Sequence, residues 1–365
     1  MKDNRIRVIY GDNPLEMTMT LLEKADLAAL IPDGASIGLK PNLVVAKPPE
    51  EGATTHREIL EGTIRYLQEH GFSDIRILEG SWIGETTERA LRVNGYDTLS
   101  REYFVPFVDT KRDTFVKKTF GGITMEISRT ALDLDFLINM PVLKGHCQTI
   151  VTGALKNMKG IISDREKRHF HALGLHRPIA YLNAIRSADF VICDGICGDL
   201  DFEEGGNPVQ MNRIFCGTDS VLCDSYEASL MGYDPEDIEY IRLAAELGVG
   251  SADLSRAEIL ELNRDETKAK GRGTGRAAKL SRYTDQKDAC SACYANLIQA
   301  LARMEDAGKL GAFSGRPVSV GQGFKGVLGA GPASGNCTAG FKSFCRGCPP
   351  KTRDIVRYLE EYSRS

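Results

Sequence analysis

The sequence lacks the features that define several large classes of protein. It contains no run of 18 apolar residues, which argues against a membrane-spanning helix. Its first residues, MKDNRIRVIYGDNP, pass directly into a strand-like alternation and lack the apolar core of a signal peptide. No Walker A motif occurs, and no GxGxxG follows the first predicted strand, so a standard nucleotide-binding fold is not indicated. We therefore expect a protein of the reducing cytoplasm with no membrane contact.

Strong charge of either sign is also missing from the chain as a whole. The 365 residues carry a net charge of −4, which gives no indication of nucleic acid or an anionic membrane as a partner. One segment, 264–287, has eight basic residues against three acidic ones. We expect a solvated linker there, because no ladder of aromatic residues accompanies the charge as in a nucleic-acid-binding arm. The predicted domains are an α/β domain at 1–263, a basic linker at 264–288 and a C-terminal module at 289–365.

Short apolar segments alternate with amphipathic segments along the first part of the chain. The segment Thr55–His70 predicts a helix, because Ile59, Leu60, Ile64 and Leu67 recur at 3.6-residue spacing. This alternation predicts an α/β fold with a mostly parallel or mixed sheet flanked by helices. The predicted strands are Ile6–Tyr10, Ser36–Val45, Ile75–Leu78, Phe136–Val142, Phe190–Cys193 and Arg213–Cys216, and the predicted helices are Pro14–Ala29, Thr55–His70, Thr87–Asn94, Ser220–Met231 and Asp237–Leu247.

Half of the ten cysteines lie in a short C-terminal stretch. Disulfides are disfavoured in a reducing compartment, so this clustering favours a metal site over scattered structural thiols. Cys-x2-Cys pairs at 290/293 and 345/348 flank Cys337, and such a pair lets two thiolates converge on one metal centre. Cys290 also opens an amphipathic helix, whose dipole favours thiolate. Spacing alone does not decide which four cysteines bind, or whether the metal is zinc or an iron–sulfur cluster.

Polar residues follow several predicted strands, at the position where open α/β sheets place ligands. We interpret them as a pocket for a small carboxylate or phosphate, with a histidine available for proton transfer. A solvated basic helix face is the alternative for 165–177, and a His-x-His zinc or nickel site at 169 and 171 would need a further ligand. Glu203 and Glu204 are interpreted as plain loop charges. The candidate binding residues are Lys40, Asn42, Lys144, Asn157, Lys159, His169 and Asp219, and the candidate catalytic residues are His146, His171 and Asp194.

Several short segments of the first 250 residues form a recognisable set: KPNLV (40–44), LEGSW (78–82), PVLKGH (141–146), VTGALKNMKG (151–160), FH (170–171), ADFVICDGI (188–196) and GTDSVLCDSYEASLMGYDPEDIEYI (217–241). Together they resemble the DUF362 family, a domain of unknown function often found with iron–sulfur segments. The C-terminal cysteines resemble those of the iron–sulfur members, and this implies a 4Fe–4S cluster on Cys290, Cys293, Cys337 and Cys348. Cys345 is then the surplus cysteine, although spacing alone would prefer it. Many relatives carry a double Cys-x2-Cys-x2-Cys run that is absent here, which argues against a two-cluster electron wire.

Two functions of different classes are compatible with these features. In the first, the chain is a cytoplasmic iron–sulfur oxidoreductase or lyase acting on a small anionic metabolite bound near the cluster. Lys40, Lys144 and His146 then bind charge, while His171 or Asp194 moves a proton. In the second, the chain is a non-catalytic electron-transfer or cluster-handling protein that docks a redox partner through the basic segment. A zinc-stabilised binding module is a third option, and an oligomer is compatible with all three.

Overall fold

The computed structural model describes residues 3–263 and 276–364, which form two compact units. The first unit comprises 3–166 and 176–263, and the second comprises 167–175 and 276–364. The short segment 167–175 therefore groups with the C-terminal residues, which the predicted boundary at 263 did not anticipate. Of the predicted linker, 264–275 lie outside the described residues, whereas 276–288 contain a helix and a strand of the second unit.

The first unit is built around an eight-stranded mixed sheet. In the strand order β12-β1-β11-β10-β7-β2-β3-β4, β11 runs antiparallel to both of its neighbours and the other five pairings are parallel. The predicted α/β fold with a mostly parallel mixed sheet is confirmed. The strands of the unit are β1 Arg5–Tyr10, β2 Ile37–Lys40, β3 Ile75–Glu79, β4 Phe107–Asp109, β5 Phe115–Phe120, β6 Ile123–Ser128, β7 Phe136–Asn139, β8 Gly145–His146, β9 Ile150–Val151, β10 Phe190–Asp199, β11 Pro208–Gly217 and β12 Glu258–Glu261.

Helices flank this sheet, and their ends follow from local sequence. The first helix begins where Asn13 accepts a hydrogen bond from the Glu16 amide and proline occupies the first turn. It ends at Asp26, which adopts a left-handed conformation and divides the predicted Pro14–Ala29 helix in two. The helices of the unit are α1 Pro14–Ala25, α2 Leu27–Leu30, α3 Arg57–Glu69, α4 Thr87–Val93, α5 Tyr96–Glu102, α6 Arg129–Asp133, α7 Gly153–Asn157, α9 His176–Ile185, α10 Ser220–Leu230 and α11 Glu239–Glu246. Helix α8, Asp164–Ala172, begins in the first unit and continues into the second.

Polar residues end three adjacent parallel strands at the carboxyl edge of the sheet. Lys40 ends β2, Glu79 ends β3 and Asn139 ends β7, and Lys40 is paired in register with Asn139. The predicted strands Ser36–Val45 and Phe136–Val142 both stop earlier than expected. Each meets a proline, Pro41 or Pro141, which has no amide hydrogen to continue a ladder. The chain therefore leaves the sheet here, and the loops that follow carry the predicted polar residues.

The second unit contains a small parallel sheet and a helical pair. Its strands run in the order β13-β14-β15, and α13 packs against α14. Cys290 caps the start of α13, as predicted, and the apolar stripe that begins at Tyr294 is buried. No helix in the described ranges is both long and apolar enough to cross a bilayer. The elements are α12 Arg276–Ser281, β13 Thr284–Gln286, α13 Ser291–Asp306, β14 Val318–Val320, β15 Ala333–Ser334 and α14 Thr352–Tyr362.

Candidate functional site

Lys40 is fully buried and already neutralised by a carboxylate. Its Nζ lies 2.8 Å from Glu79 Oε2 and donates a hydrogen bond of 3.2 Å to the Pro41 carbonyl. Burial lowers the pKa of Lys40, and the charge of Glu79 opposes that shift. Gly160 closes the site, because a Cβ there would lie 1.8 Å from Glu79 Oε1. Lys40 thus has a partner within the protein, and its predicted role in binding a ligand anion gains no support.

A chain of asparagine side chains ties the α7 segment to the sheet edge. Asn42 Nδ2 donates to Asn157 Oδ1 at 3.0 Å, and Asn157 Nδ2 donates to Asn139 Oδ1 at 2.7 Å. Asn139 Nδ2 in turn donates to the Ala154 carbonyl at 2.8 Å. Buried amides that satisfy one another in this way fix the backbone around them. The structure therefore brings the predicted residues Asn42 and Asn157 together, in a framework that supports the loops.

Lys144 joins three loops through one ammonium group. Its buried Nζ donates to Asn42 Oδ1 at 3.3 Å, to the Ala53 carbonyl at 2.5 Å and to the Glu203 carbonyl at 2.8 Å. Burial lowers the pKa of Lys144 to about 7, against the opposing charge of Glu203. An ammonium group has three donors, and all three are used here. Lys144 therefore positions the loop that contains Glu203.

His146, Glu203 and Lys156 form a buried polar triad that the sequence only partly revealed. Glu203 Oε2 lies 2.6 Å from Lys156 Nζ and 3.0 Å from His146 Nε2. His146 Nδ1 accepts the backbone amides of Gln148 and Thr149, each at 3.0 Å, which places the imidazole proton on Nε2, facing Glu203. Burial lowers the pKa of His146 to about 4, so the ring is neutral near pH 7. The ion pair of the triad is therefore Lys156–Glu203.

Glu204 differs from Glu203 because no other described residue forms a hydrogen bond with its carboxyl group. Its side chain is buried, and neither carboxyl oxygen accepts a hydrogen bond from another described residue. Burial, and then the charge of Glu203, raise the pKa of Glu204 to about 8. Burial raises the pKa of the Cys147 thiol, and the charges of Glu204 and Glu203 raise it further. Glu204 is thus a protonated acid beside the triad, whereas the sequence suggested a plain loop charge.

Two of the predicted carboxylates, Asp194 and Asp219, already accept hydrogen bonds from backbone amides. Asp194 Oδ2 accepts the His56 amide at 2.7 Å and lies 2.8 Å from His56 Nδ1, while Oδ1 accepts the Ile196 amide at 3.0 Å. Burial lowers the pKa of His56, but the charge and hydrogen bond of Asp194, together with the charges of Glu58 and Glu50, make the net shift upward. Asp219 caps α10 by accepting the amides of Val221 and Leu222, and it also accepts the Ser251 amide. His56 carries no local sequence motif, and only its pairing with Asp194 identifies it.

The remaining predicted polar residues lie in different parts of the chain. Lys159 lies in the short 3-10 turn Met158–Ile161 of the first unit, and its charge contributes to the lowered pKa of His146. His169 and His171 lie in the last turn of α8, within the segment 167–175 that groups with the second unit. The structure therefore does not place these two histidines in the same unit as Lys144 and His146.

Four C-terminal cysteines lie in three separate segments of the second unit. Cys290 and Cys293 lie at the start of α13, Cys337 lies in the 3-10 turn Asn336–Thr338, and Cys348 lies in the loop before α14. The pKa of the Cys293 thiol is raised first by burial and then by Cys290, Cys348 and Cys337. Burial also raises the pKa of the Cys337 thiol, and Cys348 adds to that shift while Lys325 opposes it. Their assignment as cluster ligands stays a prediction from the family resemblance.

Cys345 stands apart from this group. It is buried, and its amide donates to the Ala333 carbonyl at 2.9 Å in a bridge beside Ser334. Burial raises the pKa of its thiol to about 11, and the further contribution comes from Asp354. Within the described residues, no three His, Cys, Asp or Glu side chains are already arranged to hold a metal ion. Cys345 accordingly has a packing role in the loop that contains Cys348.

The chain is similar to a known protein, to a solved structure and to a protein-family model. The thylakoid-associated protein sll1697 of Synechocystis sp. (strain ATCC 27184 / PCC 6803 / Kazusa) is 24% identical over 242 residues, which cover 63% of this chain and 74% of that protein. The lactate racemase apoprotein from Thermoanaerobacterium thermosaccharolyticum shares 16% identity at a TM-score of 0.44. The match covers 61% of this chain and 56% of that one. Residues 37–229 match the family described as "Domain of unknown function (DUF362)", and the chain therefore belongs to the DUF362 family.

Proposed function

We propose that this protein is a cytoplasmic iron–sulfur protein in which Cys290, Cys293, Cys337 and Cys348 hold a 4Fe–4S cluster. The observation that supports this most directly is the hydrogen bonding that joins the Cys337 and Cys348 segments: the Asn336 amide donates to the Gly347 carbonyl at 2.9 Å, and the Gly347 amide donates to Asn336 Oδ1 at 2.9 Å. Four thiolates are the usual ligand set of such a cluster. When bound, the cluster would supply one-electron redox chemistry.

The surroundings of the four cysteines suit a cluster of negative charge. Cys290 caps a 16-residue helix, whose N-terminal dipole stabilises thiolate. Gly335 has φ of +96°, which favours glycine, and it packs against Cys293, because a Cβ there would lie 3.8 Å from Cys293 Sγ. Arg168 and Lys325 lower the pKa of the Cys337 thiol, against burial. Positive charge and close backbone are both expected around thiolate ligands.

Anaerobic purification tests this proposal. We expect a brown protein with a broad visible band, close to four iron and four sulfide per chain, as the proposed cluster requires. Cys293→Ser and Cys337→Ser each remove a proposed cluster ligand, and each should abolish most of the bound iron. Cys345→Ser is the matched control and should retain it. A colourless protein that contains stoichiometric zinc would instead establish the zinc-stabilised alternative.

We further propose that the first unit binds a small anionic metabolite beside the His146–Glu203–Lys156 triad. Glu203 takes one of the three N–H donors of Lys156, which leaves donors for a ligand. A protonated Glu204 offers an O–H donor close to Glu203, and no described residue accepts a hydrogen bond from it. A carboxylate ligand satisfies these groups better than a cation does, because Lys156 repels a cation. This arrangement favours Lys156 and Glu204, rather than Lys40 and Lys144, as the groups that contact substrate.

Such a site suits acid–base chemistry, since Glu204, whose pKa is raised to about 8, follows Glu203 in the chain, and Glu203 lies beside the neutral imidazole of His146. Binding can be measured by calorimetry with malonate and inorganic phosphate as probes. We expect Lys156→Met to weaken binding at least about 10-fold, the usual cost of losing a charged hydrogen bond. Glu204→Gln keeps a donor and should bind more tightly than Glu204→Leu, which does not. An unchanged affinity in Lys156→Met would refute the site and favour an electron-transfer role without a small substrate.

A further inference from the structure

The C-terminal part of the chain has a charge imbalance that the net charge conceals. Between residues 307 and 353 there are seven basic residues and no acidic residue, although the whole chain has a net charge of −4. Every one of the seven is exposed. Lys309 pairs with Glu360 and Arg353 with Asp354, and no ion pair within the described residues involves the other five. The seven residues are Lys309, Arg316, Lys325, Lys342, Arg346, Lys351 and Arg353.

Two loops of this stretch lie side by side, and we call residues 322–330 and 338–348 the paired loops. The Lys342 amide donates to the Gly329 carbonyl at 2.9 Å. A Cβ at Gly340 would lie 2.3 Å from the Val327 carbonyl oxygen, so the backbones are in close contact. The rings of Phe324 and Phe341 pack edge to face at 5.5 Å across the two loops. The loops therefore form one surface, which carries Lys325, Lys342 and Arg346.

This surface also presents apolar side chains and lies next to the cysteine group. Leu328 is 86% exposed, and its chain neighbour Val327 is 42% exposed. Cys348 ends the second of the paired loops, and Cys337 immediately precedes it. An apolar centre with a basic rim is the usual arrangement for docking a protein of opposite charge.

We infer that the paired loops are the docking surface for a small acidic electron-transfer protein. This inference rests on the proposed cluster, because the partner exchanges one electron with it. In that step a reduced ferredoxin gives up one electron and the oxidised cluster takes it up, and no bond or proton changes place. Leu328 and Val327 make the central contact, and Lys325, Lys342 and Arg346 attract the acidic partner. Proximity to the cysteines favours a redox protein over nucleic acid or a lipid surface.

Stopped-flow reduction of the anaerobically purified full chain tests the inference. The probe is a small acidic 2Fe–2S ferredoxin. Basic cytochrome c, a redox protein of opposite charge, is the control for binding, measured by calorimetry. We expect the ferredoxin rate constant to fall with rising ionic strength and to fall at least about 10-fold in the variant Lys325→Glu/Lys342→Glu, as for steered association. Lys24→Glu/Lys118→Glu changes two exposed lysines of the first unit and should retain the rate. Leu328→Ser changes no charge and should weaken binding roughly 5-fold through lost apolar contact.

Two results would overturn the inference. The first is a ferredoxin rate that is the same in the charge-reversed variant, in Leu328→Ser and in wild type, at equal iron content. The second is an absence of ferredoxin binding combined with charge-dependent binding of a DNA oligonucleotide or of phosphatidylserine vesicles. Failure of the cluster proposal is separate, because iron analysis reports it directly. Calorimetry with oxidised ferredoxin tests the surface even if the chain contains no iron.

Discussion

Replacing Glu79 with leucine should expose the cost of an unpaired charge at Lys40. Lys40 Nζ lies 2.8 Å from Glu79 Oε2, with the lysine side chain fully buried and the glutamate almost so. Breaking a buried ion pair by removing one partner costs about 3–5 kcal/mol, because the remaining charge has neither water nor a counterion. We therefore expect Glu79→Leu to lower the free energy of unfolding by about that amount. The double variant Lys40→Met/Glu79→Leu should recover most of the loss.

The pH dependence makes this test sharper. Burial lowers the pKa of Lys40, and removal of Glu79 should lower it further, so the native variant holds fewer protons than the unfolded chain. Its stability then rises with pH, and its deficit relative to wild type should shrink between pH 6 and pH 9. Urea denaturation at several pH values measures this. A deficit below about 1 kcal/mol that does not change with pH would refute the argument and return Lys40 to the candidate ligand-binding residues.

Three further outcomes follow from the first unit. The pKa of Glu204 is raised to about 8 from a usual value of 4.5, so its contribution to stability is complete below about pH 4.5 and is lost as pH rises towards 8. Glu204→Gln should remove this decline in stability, measured by denaturation at several pH values. A variant with the same pH profile as wild type would contradict the prediction. Asp219→Ala should cost about 1–2 kcal/mol by thermal unfolding, since it removes the cap of α10, whereas Asp237→Ala, at an exposed site, should cost little. Gly153→Ala should lower the free energy of unfolding by about 1–3 kcal/mol, because φ is +58° and a Cβ would lie 2.5 Å from the Asp224 carboxyl. A smaller loss in urea denaturation would show that α7 can shift.

The loop glutamates show where local sequence reasoning stopped. Glu203 and Glu204 precede two glycines and lie in no periodic pattern, so an exposed loop was the natural expectation. Both are buried, and Glu203 is held by Lys144 and Lys156, which come from segments about 60 and 50 residues earlier in the chain. His56 is similar, since its partner Asp194 lies on a strand that begins far downstream. Long-range pairs of this kind leave no periodic signal in either segment.

The sequence by itself determined the alternation of strands and helices, the polar character of the residues that follow the strands, and the cysteine spacing that resembles that of the iron–sulfur members. These features depend on local periodicity and on short motif spacing, which are contained in one segment. Only the tertiary structure decided that Lys40 and Lys144 are already paired, that β2 and β7 end before their prolines and that 167–175 joins the C-terminal unit. The physical reason is burial: charge is neutralised or left unsatisfied according to which distant segments fold around it, and no single segment contains that information.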